Sequence, residues 1–197
     1  MPDSQRLPTL IVTESDGRRA LVADGYVQSV AVEDLRAGDV WHALLPPRRK
    51  PWKALILGAG AGAVTHLLIE ACGPIAITAV EIDPRVAQLA LDEFGLRRQL
   101  NVTVVVADAF EWIKTCDTAF DYICIDMYTG GVMAHRTLST DFLRDVAKHL
   151  VPGGTAAINI FKTRRLPEQR HRLEQLFTIT DTIFAGGNVV FHMQPHG

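Results

Sequence analysis

A run of small and apolar residues, ALILGAGAGAVTHLLIE at positions 54–70, constrains the fold of this chain more than any other segment. An apolar stretch leads into three alternating glycines, Gly58, Gly60 and Gly62, and an amphipathic stretch follows them. This order predicts a buried strand, a tight turn and a helix whose N-terminal N–H groups can approach a polar ligand. With Ala63 the run also fits the G-x-G-x-x-G/A pattern of dinucleotide-binding domains, so it predicts a nucleotide without deciding which one.

Strand and helix signals alternate from Trp52 onward. Apolar runs typical of buried strands are followed by amphipathic segments, and Pro84 and Ser139 or Thr140 fit helix N-termini. The expected strands are 53–57, 76–83, 102–108, 120–127, 155–161, 178–184 and 188–193. The last two read as a hairpin around AGGN. We therefore predict an α/β fold in which a mostly parallel sheet of about seven strands is covered by helices on both faces.

The first 50 residues have a different pattern. Apolar and polar residues alternate around two Asp-Gly pairs, at 16–17 and 24–25, which predicts antiparallel strands joined by tight turns. The proline-rich, basic segment 45–51 then fits a boundary. We expect a small β-strand region at 1–50 and a Rossmann-like nucleotide-binding domain at 51–197.

Composition narrows the choice of partners. With 20 Lys and Arg against 22 Asp and Glu, the net charge of −2 gives no reason to expect a nucleic acid or an anionic membrane as partner. The three cysteines have the spacing of neither a disulfide framework nor a metal site, so we expect a reducing compartment and no metal. No apolar run reaches transmembrane length and no signal segment is recognised, which predicts a soluble, cytoplasmic protein.

Carboxylates end three successive predicted strands. Glu81 lies about 20 residues after the glycine turn, where a carboxylate can accept hydrogen bonds from both ribose hydroxyls of a nucleotide. Asp108, followed by Ala109 and Phe110, suits an adenine amino group and its ring face. Asp126 ends the fourth strand, beside the expected place of a reactive group. Because ligands bind beyond the carboxyl ends of parallel strands, these acids predict a single site.

Several segments together resemble one family. The strand-end acids, the Pro-Gly-Gly turn at 152–154 and the terminal hairpin resemble the class I S-adenosylmethionine-dependent methyltransferase fold. Segments spread over nearly the whole chain resemble spermidine synthases and their shorter relatives. They are VADGYVQS, VWHALLPP, ALILGAGAG, AVEIDPRV, VVVADAFEWI, FDYICIDMYTG and LVPGGTAAINIF. This resemblance implies aminopropyl transfer from decarboxylated S-adenosylmethionine to a polyamine and, by analogy, a homodimer.

The resemblance also implies roles for individual residues. The S-adenosyl-nucleoside bed that it implies consists of Gln28, Gly58, Gly60, Gly62, Glu81, Ile82, Asp108 and Ala109. It makes Asp126 the carboxylate that orients and deprotonates the attacking amine, with Tyr128 as a nearby phenol. His42 falls at the rim of the pocket, and Thr129 lies in the loop that faces the acceptor.

Two positions depart from the family pattern. Spermidine synthases have a GGGDG turn and a D-x-x-D loop, whereas this chain has Ala61 and Thr129 at the places of two of those acids. Without the acid in the glycine turn, no carboxylate there repels the carboxylate of S-adenosylmethionine, so the change predicts a pocket that tolerates this donor. Because a buried ammonium needs a carboxylate partner, the same change predicts that a polyamine dication binds poorly. Methyl transfer to a small amine or hydroxyl acceptor is therefore an alternative, and so is a nucleoside-binding or regulatory protein without turnover. An NAD-dependent dehydrogenase is a third.

Overall fold

Strands form most of the framework in the computed structural model, which describes residues 9–47 and 50–196. They are β1 (Leu10–Ser15), β2 (Arg18–Ala23), β3 (Tyr26–Val30), β4 (Lys53–Leu57), β5 (Ala76–Glu81), β6 (Val102–Val106), β7 (Phe120–Ile125), β8 (Tyr128–Thr129), β9 (Val132–Met133), β10 (Leu150–Phe161), β11 (Phe177–Ala185) and β12 (Asn188–Pro195). Seven of them build one sheet in the order β11-β12-β10-β7-β4-β5-β6. Pairing is parallel from β10 to β6, and β12 runs antiparallel to both of its neighbours. The predicted α/β fold is confirmed.

Six α-helices lie between the strands in the described part of the chain. They are α1 (Val40–Ala43), α2 (Ala63–Cys72), α3 (Pro84–Asp92), α4 (Ala109–Thr115), α5 (Thr140–Lys148) and α6 (Leu166–Glu174). Ser139 caps α5, since its hydroxyl accepts a hydrogen bond from the Phe142 N–H. Within the described ranges, none of these helices has the length and apolarity needed to cross a membrane.

Both faces of the large sheet are buried. Along β4, Leu55 and Leu57 belong to an apolar cluster with residues of α4, α5 and α6, whereas Ala54 and Ile56 belong to a cluster with residues of α1 and α2. All four side chains are fully buried. This alternation follows from the two-residue period of a strand, and it explains why the sequence of β4 is apolar throughout.

The N-terminal strands form a separate three-stranded antiparallel sheet in the order β1-β2-β3. Its two turns fall at the predicted Asp-Gly pairs, where Asp16 and Asp24 have φ values of 53° and 48°. Such values are required at the first central residue of a type I′ hairpin turn. On one face, Leu21 belongs to an apolar cluster with Val86 of α3 and with Phe94. Positions 48 and 49 of the expected boundary segment lie outside the described residues.

Three parallel strands end two residues earlier than the sequence predicts. β5, β6 and β7 end at Glu81, Val106 and Ile125, not at positions 83, 108 and 127. Two of the residues after the strands serve the next helix: the carboxylates of Asp83 and Asp108 cap α3 and α4. β10 is longer than expected, because Pro152-Gly153-Gly154 lies within it as an irregularity in its pairing with β7.

Candidate functional site

A cavity of about 940 Å³ opens at the carboxyl edge of the large sheet. Segments that follow β4, β5, β6 and β7, together with the end of β10, form one side of it. The N-terminal sheet and the β8–β9 hairpin contribute other parts of the wall. The sequence-predicted residues that line the cavity are Gln28, Gly58, Gly60, Glu81, Ile82, Asp108, Ala109, Asp126, Tyr128 and Thr129. The structure thus brings together all of the predicted site residues except Gly62 and His42.

The glycine turn needs its glycines for backbone reasons. Gly58 has a φ of 88°, and a Cβ atom there would lie 2.2 Å from the backbone oxygen of Asp126. Gly62 has a φ of 96° and is the N-cap residue directly before α2, and a Cβ atom there would lie 2.8 Å from the Leu96 side chain. Positive φ values of this size favour glycine. Gly62 therefore shapes the turn from outside the cavity lining.

Glu81 is held by the backbone. Its Oε2 accepts a hydrogen bond from the Gly60 N–H at 2.9 Å, and its Oε1 accepts one from the Asp83 N–H at 3.1 Å. The side chain is 8% exposed. Burial raises the pKa of this carboxyl, and the backbone hydrogen bonds oppose that rise. A carboxylate has about four lone-pair sites, so Glu81 can still accept hydrogen bonds from hydroxyls in the cavity.

Asp108 and the first turn of α4 form another part of the wall. The Asp108 Oδ1 accepts a hydrogen bond from the Phe110 N–H at 2.8 Å, which caps the helix. The Phe110 ring packs edge-on against Phe142, with 4.8 Å between centroids, and the Arg136 guanidinium lies 4.7 Å from the Phe110 centroid. Arg136 also pairs with Glu111 at 2.9 Å. Arg136 and its neighbour in sequence, position 135, both line the cavity.

Asp126 has a different environment. Its Oδ1 accepts a hydrogen bond from the Asn159 Nδ2 at 2.9 Å. Burial raises the pKa of Asp126 to about 6, and the hydrogen bond from Asn159 limits the rise. No donor within 9–47 or 50–196 contacts the Asp126 Oδ2. This carboxylate therefore retains an oxygen that can take a proton.

Tyr128 and Thr129 follow Asp126 in the short strand β8. The Tyr128 hydroxyl donates to the Asn159 backbone oxygen at 3.1 Å and accepts from the Phe161 N–H at 3.2 Å. Burial, the largest effect, and the nearby charge of Asp126 raise the pKa of Tyr128. Its hydroxyl is thus committed to the backbone of β10 in both directions, whereas Thr129 is exposed at the cavity wall.

Two positions that the sequence analysis emphasised lie elsewhere. His42 is half-buried in α1 and is absent from the lining, to which α1 contributes Val40 and Trp41. Ala61, at the place of the family's glycine-turn acid, is 1% exposed and packs in an apolar cluster that includes Leu21. Position 61 is not among the residues that line the cavity, and the expectation that its alanine alters selection of the donor stays a prediction.

Two residues that the sequence analysis missed belong to the site. Asn159 is 4% exposed near the end of β10, and Asn188, which begins β12, donates to the Asn159 Oδ1 at 2.8 Å. The signal in the sequence was an asparagine inside the apolar run AAINIF, because a buried polar side chain needs partners. Among the described residues, no group of three or more His, Cys, Asp or Glu side chains is arranged to hold a metal ion.

Comparison with known proteins identifies the family. Residues 54–154, just over half of the chain, match the methyltransferase domain family. The chain belongs to this family. A probable polyamine aminopropyl transferase from Bifidobacterium longum is 30% identical to this methyltransferase-domain protein over 138 residues, which are 68% of this chain and 30% of that protein. The predicted likeness to spermidine synthases and their relatives is confirmed.

Solved structures confirm the methyltransferase fold. A spermidine synthase in complex with the transition state analogue AdoDATO is 17% identical, with a TM-score of 0.73 over 98% of this chain and 74% of that one. Human methyltransferase-like protein 13 in complex with SAH is 23% identical, with a TM-score of 0.63 over 74% of this chain and 72% of that one. The chain spans 30 to 57% of the length of the first curated relatives that it matches.

Proposed function

We propose that the protein transfers an alkyl group from an S-adenosyl-type sulfonium donor to an amine acceptor, with Asp126 as the general base. The observation that carries this proposal is the placement of Asp126 in the cavity wall, where Asn159 donates to one carboxylate oxygen and no other described residue donates to the second. The cavity lies where ligands of α/β sheets bind, beyond the carboxyl ends of the strands.

The residues of the proposed donor bed fit an adenosyl nucleoside. Glu81 and Asp108 present carboxylates at the ends of adjacent strands, and these can accept hydrogen bonds from ribose hydroxyls and an adenine amino group. Ile82, Ala109 and Gln28 would complete the bed beside the glycine turn. A cavity of about 940 Å³ lies in the upper range for small-molecule sites. When bound, such a donor supplies an electrophilic carbon on a sulfonium that leaves as a neutral thioether.

Asp126 would receive the proton of the acceptor. With a pKa of about 6 it is ionised at neutral pH, yet it is basic enough to share the proton that an attacking nitrogen loses. The proton passes from the acceptor nitrogen to the Asp126 Oδ2 while the Oδ1 stays bound to Asn159. Because the hydroxyl of Tyr128 is committed to the backbone of β10, we assign Tyr128 to positioning and Thr129 to contact with the acceptor.

Aminopropyl transfer to a polyamine is the first candidate. It is supported by the curated aminopropyltransferase relatives and by a spermidine synthase structure whose likeness extends over 98% of the chain, and so into the N-terminal strands. Methyl transfer to a small amine is the second candidate. Thr129 favours it, because this cavity-lining position carries no charge where the family pattern implies an acid.

A binding experiment followed by a turnover experiment tests the proposal. Calorimetric titration would compare S-adenosylmethionine, its decarboxylated form and NAD, and mass spectrometry would then detect products with polyamines and small amines. Tighter binding of the decarboxylated donor and an aminopropylated product support the first candidate. A methylated product supports the second. Adenosyl binding without turnover would support the nucleoside-binding alternative and overturn the proposed transfer, and binding of NAD alone would overturn the whole assignment.

We further propose a cytoplasmic setting, a small-molecule acceptor and no nucleic-acid or membrane partner. The net charge of −2 and the free thiols of Cys72, Cys116 and Cys124 support this setting. A homodimer is proposed by analogy with the family, and light scattering at several protein concentrations would test it.

A further inference from the structure

Three side chains from neighbouring strands form a directional hydrogen-bond series at the reactive end of the cavity. The Asn188 Nδ2 donates to the Asn159 Oδ1 at 2.8 Å, and the Asn159 Nδ2 donates to the Asp126 Oδ1 at 2.9 Å. An ionised carboxylate only accepts hydrogen bonds, so the amide nitrogen of Asn159 must face Asp126. The amide oxygen of Asn159 must then face Asn188, which supplies a donor to it.

The backbone around Asn159 is fixed as well. The Tyr128 hydroxyl bonds to the backbone oxygen of Asn159 and to the N–H of Phe161, and the Tyr128 and Phe161 rings meet edge-on at 4.8 Å. Asn159 lies on β10 between β7 and β12, and Asn188 pairs with Phe161 in the ladder. The order of the strands, rather than any local motif, thus places Asn159 next to Asp126 and Asn188 next to Asn159.

We propose that Asn159 and Asn188 are positioning residues that hold one oxygen of the Asp126 carboxylate and leave the other directed to the acceptor's proton. Asn159 acts on Asp126 directly, and Asn188 acts through Asn159 by fixing which end of its amide faces the carboxylate. The part of this role that involves an acceptor rests on the proposed transferase function. The hydrogen-bond series itself does not depend on it.

This arrangement has a measurable consequence. The amide donor stabilises the ionised form of Asp126, so its removal must raise the pKa of the carboxyl further. Without Asn188, the amide of Asn159 is free to rotate and to turn its oxygen toward Asp126. This rotation also raises the pKa of Asp126, but by less than removal of the amide does. The titratable groups that sense the charge of Asp126 are Cys124 and Tyr128, whose pKa values are both raised, so both stay neutral near pH 6.

The experiment is a titration of Asp126 itself. Protein labelled with ¹³C in its aspartate carboxyl groups would be followed by NMR from about pH 4 to 9, and the Asp126 signal would be assigned by its loss in Asp126→Asn. We expect Asn159→Ala to raise the midpoint by about one unit, because a hydrogen bond to a charged group strongly favours the charged form. Asn188→Ala should raise it by a smaller amount. Asn101→Ala, which removes an asparagine bonded to the Ile75 backbone oxygen outside the cavity lining, should not move it.

The outcomes separate this proposal from the proposed function. An unchanged midpoint in Asn159→Ala, or in Asn188→Ala, would overturn the series, whether or not the protein turns over any substrate. Asn188 is only half-buried, so its variant still tests the series if Asn159→Ala does not fold. If transfer activity is found, the acid limb of its pH–rate profile should move upward with the NMR midpoint in both variants. If the midpoints move as expected and no transfer is found, the series stands and only the transferase function fails.

Discussion

Glu81 and Asp126 are carboxylates in the wall of one cavity, yet they are held in opposite ways. Glu81 ends β5 and Asp126 directly follows β7, and β4 lies between these two strands in the sheet. Each oxygen of Glu81 accepts a hydrogen bond from a backbone N–H, of Gly60 and of Asp83. Within the described part of the chain, the Asp126 carboxylate accepts one hydrogen bond, from the side chain of Asn159. Backbone donors are fixed by the fold, so Glu81 is a rigid acceptor, whereas the proton affinity of Asp126 depends on its side-chain neighbours.

This difference separates a binding region, formed by the glycine turn, Glu81 and Asp108, from a reactive region, formed by Asp126 and its neighbours. A group that must recognise hydroxyls benefits from fixed geometry, and a group that must take a proton needs a free lone pair and a pKa close to the working pH. Asp126 meets the second requirement with its unengaged Oδ2 and its pKa of about 6. Variants of the two carboxylates should therefore fail in different ways.

The largest effect is expected from Asp126→Asn in a transfer assay. Loss of a general base should lower kcat by a factor of about 10² to 10⁴, while donor binding stays close to that of the wild type. Initial rates from product mass spectrometry and donor affinity from calorimetry would measure the two effects. Asp117→Asn, which alters an exposed aspartate outside the cavity lining, is the matched control and should be unchanged in both. Full activity in Asp126→Asn would remove Asp126 from the mechanism.

The pH dependence of stability should distinguish Asp126 from other acids. The Asp126 carboxyl binds its proton more tightly in the folded state than in the unfolded chain, because folding raises the pKa of this group from 3.8 to about 6. The stabilisation that this provides is complete below pH 4 and is lost as the pH rises through about 6. Asp126→Asn does not titrate, so relative to wild type it should gain up to about 3 kcal/mol of unfolding free energy between pH 4 and pH 7.5. Urea unfolding at both pH values would measure this, and a gain that is equal at both would contradict the raised pKa.

Glu81→Gln should act mainly on binding. The amide nitrogen of glutamine would meet the N–H of Gly60 or of Asp83, so one backbone donor loses its acceptor. We expect the affinity for the adenosyl donor to fall about ten- to hundredfold, as is usual for hydrogen bonds to charged groups, with a smaller change in kcat. Calorimetry of Glu81→Gln against the exposed control Glu70→Gln would test this. Equal affinities would show that Glu81 supports the glycine turn only.

The sequence predicted the binding region better than the reactive region, for a physical reason. The glycine turn, Glu81 and Asp108 lie at the ends of local strand–turn–helix units, so a short window contains both the element and its polar residue. The α/β order and the hairpin turns of the N-terminal sheet could be predicted in the same way. The strand ends were placed two residues too late because Asp83 and Asp108 cap helices, which an apolar pattern does not register.

The surroundings of Asp126 depend on contacts between distant parts of the chain. Asn159 lies 33 residues and Asn188 lies 62 residues after Asp126, and only the strand order β12-β10-β7 brings them together. The orientation of the Ala61 side chain illustrates a related point. The positive φ values of Gly60 and Gly62 carry the residue between them into an apolar cluster, so a place in a motif did not reveal which way the position faces.

Asp108 combines a cap with a proposed contact to adenine, and two substitutions separate these roles. Asn is as good an N-cap as Asp, so Asp108→Asn should leave the free energy of unfolding unchanged while it weakens donor binding by about two- to tenfold. Asp108→Ala removes the cap as well and should cost about 1 kcal/mol of stability. Thermal unfolding and calorimetry of both variants would give the answer. If both variants bind the donor as wild type does, Asp108 only caps α4 and makes no contact with adenine.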